Sequence, residues 1–552
     1  MLNVTSDVSS VAEEVSSVAG GLQAACLSCE NPSSITLIQD TRARVRVNFK
    51  DTENKMLKKP FFQIVRQSFQ PLVAFVIILI LSNHLPLASK PPQAASENLY
   101  SPQLLAEMKQ LQQAALKSDY AYRQVAYLSN NIGPRLSGSA QAQAAVEYVA
   151  AEMRRLGLEV TLEKLMVPHW VRGEEKAELV EWPGGAPKTT QKVVLTALGG
   201  SVATPHEGIT AEVVVVNSFD ELTRMGRERV TGKIVLFNVP FDKQMAAQGF
   251  GGDAYGEIIA YRGRGASSAA RLGAVASLIR SIGGADYRIP HTGSLRYADD
   301  APRIPGAAVA AEDADLMAHL AQQGRVRLHL LLTPQTLPDA PSYNVIADLK
   351  GTEHPEQVVI VSGHLDSWDL GTGAIDDAAG VAVAMQTAQL IKQLGLRPRR
   401  TIRVVAWMNE ENGIVGGKTY AKDYAAELPL HFAAIESDRG AGHPLGFEAR
   451  VTEAAMPLLT PISDVLRSSG AGLSRRTEDT ETDITPIADK GVPAFGLWQD
   501  TRTYFNYHHT PADTLDKVNP HELAENAAVM SVLAYGLANL PKPLPRAGDS
   551  KK

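Results

Sequence analysis

Cysteine is nearly absent from the sequence: only Cys26 and Cys29 occur, in a C-x-x-C near the start. The main part of the chain therefore has no disulfide and no thiolate metal site. Aromatic residues make up only 6%, and no stretch interleaves them with basic residues as a nucleic-acid groove would. An excess of one charge is also lacking, since 54 Lys and Arg against 60 Asp and Glu give a net charge of -6. No nucleic-acid partner is expected.

Long hydrophobic runs are also lacking, except for LVAFVIILIL at residues 72–81. Such a short run spans about 30 Å of hydrocarbon poorly, and a single run excludes a multi-spanning membrane protein. Basic residues precede the run and small residues and prolines follow it, which is the order of a secretory signal. We therefore predict a secreted or periplasmic protein with a signal near residues 56–90, cleaved or retained as an anchor. An uncleaved anchor would be its only link to a membrane. Residues 1–55 would form an extension that initiation at Met56 would omit.

The remaining chain divides into two interleaved α/β parts. Apolar residues at helical spacing predict helices between Leu104 and Leu156, and a strand-rich stretch follows. A Gly/Thr/Pro segment at about 198–210 predicts a boundary. Short strand-like runs around a helix-like segment, Ala266 to Ile279, predict an inserted module. The predicted parts are a signal and linker at 56–96, a main domain at 97–195 and 341–540, an inserted domain at 196–340, and a polar tail at 541–552.

Four near-continuous apolar runs predict strands that are buried on both faces. They are VVIVSG (358–363), IRVVAW (402–407), HFAAIES (431–437) and PAFGLW (493–498). A helix-like stretch from about Asp377 to Leu394 lies between the first two. The sequence therefore predicts an α/β fold in which a mostly parallel or mixed sheet carries helices on both faces. In such sheets ligands bind at the carboxyl ends of the strands.

Residues able to bind metal or carry protons follow these strands. They are His364 and Asp366, the Asp376–Asp377 pair, Glu410 and Glu411, Asp438, and His508 and His509. A lone His or Asp at a strand end is usually a polar cap, but several carboxylates on one edge repel one another unless cations are present. Nitrogen and oxygen donors without cysteine favour zinc, with manganese or cobalt as substitutes. Two histidines and three carboxylates suffice for two metals that share an Asp. Two such ions can activate a water and polarise a carbonyl.

The segments GHLDSWD, AIDDAAG, NEENG, ESD and YHHTPADT resemble, in order and spacing, the bimetallic zinc aminopeptidase and glutamate carboxypeptidase family, metallopeptidase family 28. NIGPRLSGS (131–139) and VPHWVRGEE (167–175) extend the resemblance, which covers about residues 105–540. It implies a zinc exopeptidase fold with a protease-associated α/β domain as the inserted module. It also implies two Zn²⁺ per chain, hydrolysis of dipeptides or short peptides with carboxypeptidase-type release, and a homodimer.

The resemblance also implies a role for each site residue. His364 and Asp438 would bind the first zinc, Glu411 and His509 the second, and Asp376 would bridge them, often with a cis peptide bond just after it. Glu410 would be the general base, and Asp366 would orient His364.

Two adjacent histidines, His508 and His509, which we call the histidine doublet, are both candidates for the last metal ligand. In the family the ligand stands four residues before the Asp of an Asp-Thr pair, here Asp513-Thr514, which favours His509. His508 would contact the substrate and stabilise the oxyanion, or make only a loop hydrogen bond. Asp483 would lie near the site or be a solvated loop acid.

Other functions stay open at this point. An aminopeptidase of the same family is the main alternative, because the residues near the metals do not fix which terminus is read. A non-catalytic receptor or binding protein and a cyclase-type acyltransferase also exist on this scaffold. The presence of all five expected ligands and Glu410 argues against both.

Overall fold

The computed structural model describes residues 99–546. The helices are α1 (Pro102–Ala115), α2 (Tyr120–Ala126), α3 (Ala140–Arg155), α4 (Phe219–Val230), α5 (Lys243–Ala247), α6 (Gly251–Arg271), α7 (Ala311–Gln323), α8 (Ala379–Gln393), α9 (Val415–Asp423), α10 (Met456–Leu466), α11 (Thr485–Ala488) and α12 (Pro520–Ala538). The strands are β1 (Glu159–Val171), β2 (Glu175–Glu181), β3 (Gln191–Val193), β4 (Leu195–Ala197), β5 (Ile209–Val216), β6 (Ile234–Phe237), β7 (Ala276–Arg280), β8 (Gly306–Val309), β9 (Arg327–Leu332), β10 (Gln335–Leu349), β11 (His354–His364), β12 (Arg400–Trp407), β13 (His431–Glu436), β14 (Pro444–Arg450), β15 (Leu473–Arg476) and β16 (Ala494–Gln499).

Several sequence predictions fall outside these residues. The extension at 1–55, the signal near 56–90 and residues 547–552 of the tail are among them. Within 99–546, no helix combines the length and the apolar character that crossing a membrane requires.

The first sheet has the strand order β1-β10-β12-β11-β13-β16-β14-β15. Its four central strands, β12, β11, β13 and β16, are parallel, whereas β10 and β14 join them in antiparallel fashion. These four strands correspond to the four predicted apolar runs. Because they are parallel, their carboxyl ends lie at one edge of the sheet. The sheet is thus mixed, with a parallel centre, as predicted.

Side chains of the central strands alternate between two hydrophobic layers. On β11, Val359 and Val361 pack in the layer that contains α8 and α12, whereas Val358 and Ile360 pack in the layer that contains Tyr420 of α9. A strand that is buried on both faces needs apolar residues at every position, which explains the continuous runs. Helices on both faces of the sheet were predicted, and the prediction is confirmed.

The second sheet has the order β3-β2-β9-β5-β6-β7-β8-β4. All its strands lie within residues 175–332, and we call this segment the second-sheet module. Its strands β2 and β3 precede residue 196, where the predicted inserted domain begins. The domain boundaries remain a prediction.

The helix predicted from Ala266 to Ile279 is wrong in its second half. Helix α6 ends at Arg271, and Ala276–Arg280 forms strand β7, which is parallel to β6 and β8. Gly273 lies between the two elements with φ +82°, a left-handed conformation that ends a helix and favours glycine. The short apolar run after Gly273 is compatible with both a buried helix and a buried strand. Periodicity alone could therefore not separate the two elements.

The module is joined to the first sheet through one long strand pair. β1 and β10 run antiparallel from Glu159 opposite Asp348 to Val171 opposite Gln335. The chain therefore leaves the first sheet after Val171 and returns to it at Gln335, directly opposite.

Candidate active site

The strand exits of the first sheet bring the predicted carboxylates and histidines together around Asp376. Its Oδ1 lies 2.9 Å from Nε2 of His364, and its Oδ2 lies 3.3 Å from Nε2 of His509. Each histidine also contacts a second carboxylate. His364 Nε2 lies 3.2 Å from Asp438 Oδ1, and His509 Nε2 lies 2.9 Å from Glu411 Oε2. The five side chains thus form two His–carboxylate groups with Asp376 between them.

The loop that carries Asp376 is fixed by buried polar groups. The peptide bond from Asp376 to Asp377 is cis, as the resemblance implied. The Asp377 carboxylate accepts hydrogen bonds from the backbone N–H groups of His364 (3.0 Å) and Gly380 (2.8 Å). Just before the cis bond, Asp513 accepts hydrogen bonds from the N–H groups of Ala374 and Ile375, both at 2.8 Å. Both ends of the loop are therefore tied to carboxylates.

Arg135, in the NIGPRLSGS segment, holds the same loop from another side. Its guanidinium is fully buried and donates to the backbone carbonyls of Leu365 (2.8 Å), Thr372 (2.7 Å) and Gly373 (2.8 Å). Arg135 thus connects the end of β11 to the turn that precedes Asp376.

Asp366 contacts the site differently from the sequence expectation. Nδ1 of His364 lies 2.9 Å from the backbone carbonyl of Asp366, whereas the Asp366 carboxylate is 4.0 Å away. That carboxylate instead accepts hydrogen bonds from the N–H groups of Asn409 (2.7 Å) and Glu410 (3.1 Å), and from the Ser137 hydroxyl (2.9 Å). The backbone carbonyl of Asp366 therefore orients His364. The Asp366 carboxylate positions the loop that carries Glu410.

Glu410 and Glu411 follow β12 but have different surroundings. Glu411 is buried against His509, whereas Glu410 is half-buried. Within residues 99–546, no hydrogen bond or ion pair to the Glu410 carboxylate occurs. The preceding Asn409 has φ +73°, a left-handed conformation that asparagine adopts more readily than most residues with a side chain.

The histidine doublet also has two distinct environments. The imidazole rings of His508 and His509 stack at 3.6 Å between centroids. Nδ1 of His508 lies 3.1 Å from Nε2 of His291, and its Nε2 lies 3.4 Å from Asp376 Oδ2. Burial and the adjacent His509 hold the pKa of His508 well below its ordinary value, which favours the neutral ring.

Burial and crowding shift the pKa values of the site carboxyls. Burial raises the pKa of Glu410 well above its ordinary value, against the opposing charge of His364. Burial also raises the pKa of Glu411 to about 7, although His509 opposes it. Burial alone would lower the pKa of His364, but Asp438 and Asp376 raise it well above its usual range. The site therefore concentrates negative charge in a place where water cannot screen it.

The donor set fits metal ions. His364, Asp376 and Glu411 place ligand atoms within 4.8 Å of one another, as do His364, Asp377 and Asp438. Two buried carboxylate oxygens, Oδ2 of Asp376 and Oε1 of Glu411, have no hydrogen-bond donor among residues 99–546. Imidazole nitrogens and carboxylate oxygens are the ligands of catalytic zinc sites, and a cation would compensate the crowded negative charge.

Several residues at the site were not found from the sequence. His291, Tyr255 and Arg262 come from the second-sheet module and contact the histidine doublet or each other. They lie between the VPHWVRGEE segment and His364, outside every motif named from the sequence, and have no spacing signal of their own. Asp483 is fully buried with both carboxylate oxygens lacking a hydrogen bond, so it is not a solvated loop acid.

Comparisons with known proteins agree with this geometry. The model of the family described as Peptidase family M28 matches residues 344–534. Carboxypeptidase Q of Homo sapiens is 40% identical over 437 residues, which cover 77% of this chain and 87% of the relative. The crystal structure of a Peptidase M28 precursor from Shewanella amazonensis SB2B is 39% identical, with a TM-score of 0.76, over 81% of this chain and 99% of that one. BSAP, a zinc aminopeptidase from Bacillus subtilis, shares the fold at 21% identity, with a TM-score of 0.57, over 75% of this chain and 94% of that one.

The identity to carboxypeptidase Q extends over most of both chains, well beyond the residues of the site. The similarity to the Shewanella structure likewise covers both sheets. Together with the family match, these findings show that the chain belongs to peptidase family M28 and is a zinc metallopeptidase, a hydrolase.

Proposed function

We propose that the protein is an exopeptidase that hydrolyses dipeptides or short peptides with two zinc ions per chain. The observation that carries the proposal is the position of Asp376, whose two oxygens face two different histidines, each beside its own carboxylate. His364 and Asp438 would hold one ion, His509 and Glu411 the other, and Asp376 would bridge them. His508 lies near Asp376 as well, but only His509 contacts Glu411, which supports His509 as the ligand.

Zinc ions bound there would polarise the scissile carbonyl and lower the pKa of the attacking water. Glu410 is suited to act as the general base, because its carboxylate is held at the end of β12 without a protein partner in the described part of the chain. Its backbone N–H is fixed by Asp366 at 3.1 Å. Glu410 would take a proton from the water and deliver it to the leaving amine.

His508 is suited to stabilise the developing oxyanion. Burial lowers the pKa of His508 and so favours its neutral ring, which stacks on His509 and is oriented through the contact between its Nδ1 and His291 Nε2. A neutral ring whose other nitrogen carries the proton could donate one hydrogen bond toward the site. The His291 contact supports this role over that of a simple loop hydrogen bond.

The second-sheet module would act as the protease-associated domain implied by the sequence. It reaches the site directly: the Thr292 N–H donates to the His509 carbonyl at 2.9 Å, and the Ser294 hydroxyl donates to the Glu411 carbonyl. A module in this position would limit the length of peptide that reaches Glu410. Secretion and a homodimer remain predictions from the sequence.

Carboxypeptidase action is favoured by the identity to carboxypeptidase Q, and aminopeptidase action is the second candidate because an aminopeptidase shares the fold. The test uses a free dipeptide, its N-acetylated form and its C-terminal amide, each with and without a strong chelator. We expect cleavage of the free dipeptide that the chelator abolishes and that amidation prevents. Cleavage that survives amidation but not acetylation would show an aminopeptidase. If none is cleaved with zinc supplied, the peptidase proposal is wrong for these substrates.

A further inference from the structure

Arg262 reaches the site from the second-sheet module. It lies on α6 and is 6% exposed. Its Nη1 donates to the Tyr255 hydroxyl, and lies 3.4 Å from the Thr292 carbonyl and 3.5 Å from Nδ1 of His509. The guanidinium thus lies one imidazole ring away from the point where His509 faces Asp376 and Glu411.

This cation has no ion-pair partner in the described part of the chain. Among residues 99–546, no carboxylate oxygen lies within 4.0 Å of the Arg262 guanidinium, although many of the other arginines form ion pairs. Its Nε is buried without a hydrogen-bond partner. An arginine remains charged at any physiological pH, and burying an uncompensated charge costs several kcal/mol in general. An anion bound at the guanidinium would offset this cost.

The surrounding backbone is shaped to admit the guanidinium. A Cβ at Gly293 would lie 2.3 Å from Nη1 of Arg262, and Gly293 has φ +134°, which a residue with a side chain rarely adopts. On the other side, the Tyr255 ring centroid is 5.4 Å from the guanidinium carbon. The donors of Arg262 and the Tyr255 hydroxyl together could receive a planar, two-oxygen anion.

We propose that Arg262 binds the carboxyl-terminal carboxylate of the peptide substrate; this inference rests on the proposed peptidase function. One residue of an extended peptide spans about 3.3–3.6 Å. A carboxylate held at Arg262 therefore places the preceding peptide bond beside His509, whose Nε2 faces Asp376. A free α-ammonium would be repelled at the same place, so this assignment favours carboxypeptidase over aminopeptidase action.

The test compares Arg262→Gln with a matched control, Arg264→Gln. Arg264 lies on the same helix but is exposed and contacts the Phe219 ring instead. The substrates are alanyl-leucine and its C-terminal amide. We expect Arg262→Gln to raise KM for alanyl-leucine about 100-fold, since removing one partner of a buried charge pair weakens binding to that extent. The amide should be cleaved by neither the wild type nor Arg262→Gln, and Arg264→Gln should behave like the wild type.

Binding is measured separately from turnover. Leucine and leucinamide differ only in the carboxylate, and their competition with substrate is measured on the wild type and on both variants, with zinc content determined in parallel. Leucine should inhibit the wild type at least tenfold better than leucinamide, and this preference should vanish in Arg262→Gln while zinc content stays the same. Equal inhibition of the wild type by the two would overturn the proposal.

Failure of this proposal can be distinguished from failure of the proposed function. If the wild type cleaves no dipeptide, the function is wrong, and the Arg262 assignment falls with it. If the wild type cleaves alanyl-leucine and Arg262→Gln keeps the wild-type KM and preference, only the Arg262 assignment is wrong. Should Arg262→Gln not fold, Arg262→Lys decides: loss of the forked donors should raise KM about tenfold, and a wild-type KM would contradict the assignment.

Discussion

Glu410 and Glu411 are neighbours in the chain, yet one carboxylate contacts His509 and the other has no partner in the described part of the chain. We expect Glu410→Gln to retain zinc and to lower kcat by about 10²–10⁴-fold, the range typical for loss of a positioned acid–base group. Zinc content by atomic emission and kcat for a free dipeptide measure the two effects. A variant with wild-type kcat would show that another group takes the proton.

The two histidines of the doublet should respond differently to removal. His509 Nε2 lies 2.9 Å from Glu411, whereas His508 contacts His291. We therefore expect His509→Ala to lose one zinc per chain and His508→Ala to keep both while kcat falls. Metal content after dialysis against dilute chelator is the measurement. Equal loss of metal in the two variants would mean that the ligand is assigned to the wrong histidine.

For single residues, the sequence predicts which side chains lie close together where regular secondary structure determines their positions. His364, Glu411 and Asp438 could be brought together because parallel strands end at one edge. The contacts of Asp366 could not be predicted in detail, because its backbone carbonyl faces the His364 ring in place of its carboxylate. Arg262 and His291 could not be found, since no periodic pattern links the second-sheet module to the strand ends of the first sheet.

Strands buried on both sides were predicted well, and elements separated by a single glycine were not. The central strands β11, β12, β13 and β16 have continuous apolar runs because both of their faces are covered. Helix α12 was not predicted: it is buried at every residue from Leu523 to Ala538, so it lacks the polar face that marks a helix in a sequence. The α6–β7 boundary was missed because most residues on both sides of Gly273 are apolar, so the pattern does not change at the boundary.

The contact between β13 and α9 predicts a pH dependence of stability. His431, the first residue of β13, is buried; its Nε2 lies 2.7 Å from the Tyr420 hydroxyl and its Nδ1 lies 3.0 Å from the Glu427 carbonyl. This arrangement uses a neutral imidazole, and burial lowers the pKa of His431 to about 4. In the unfolded chain its pKa is about 6.5. The unfolded state therefore binds the proton first as the pH falls, so the contribution is complete above pH 6.5 and is lost between about pH 6.5 and 4.

This loss can be isolated by comparison with His431→Gln, which cannot titrate. Between pH 7.5 and 4.5, the wild type should lose about 2–3 kcal/mol more of its free energy of unfolding than the variant loses. Urea unfolding at the two pH values measures the difference, and other titrating groups cancel in the comparison. Equal losses in the two proteins would show that His431 is protonated in the folded state.

At the scale of the whole molecule, Arg172 connects the first sheet to the second-sheet module. Arg172 follows β1 and forms a two-pronged ion pair with Asp369 at 2.6 and 2.8 Å, and it also donates to Glu175 at 2.8 Å. Its side chain is only 12% exposed. The pair therefore connects the loop after β11 with the beginning of the second-sheet module.

We expect Arg172→Met to lower the free energy of unfolding by about 2–3 kcal/mol, because it leaves Asp369 and Glu175 without their cation in a mostly buried place. The control is Arg325→Met, which removes an exposed pair with Glu181 at 3.3 Å and should cost about 0–1 kcal/mol. Urea unfolding of both variants measures the difference. Similar losses in the two variants would mean that the Arg172 pair is weakened by solvent as strongly as a surface pair.

The pairing of Val171 with Gln335 has a consequence for synthesis of the chain on the ribosome. All strands of the second-sheet module are made before β10 emerges, so the module can fold while β1 still lacks its partner. At roughly 5–20 residues per second, the intervening stretch of about 160 residues takes roughly 10–30 s to make. During that time β1 is an unpaired strand, a structure prone to pairing with other chains. Of the strands in residues 99–546, the first to be made is therefore the one that waits longest for its partner.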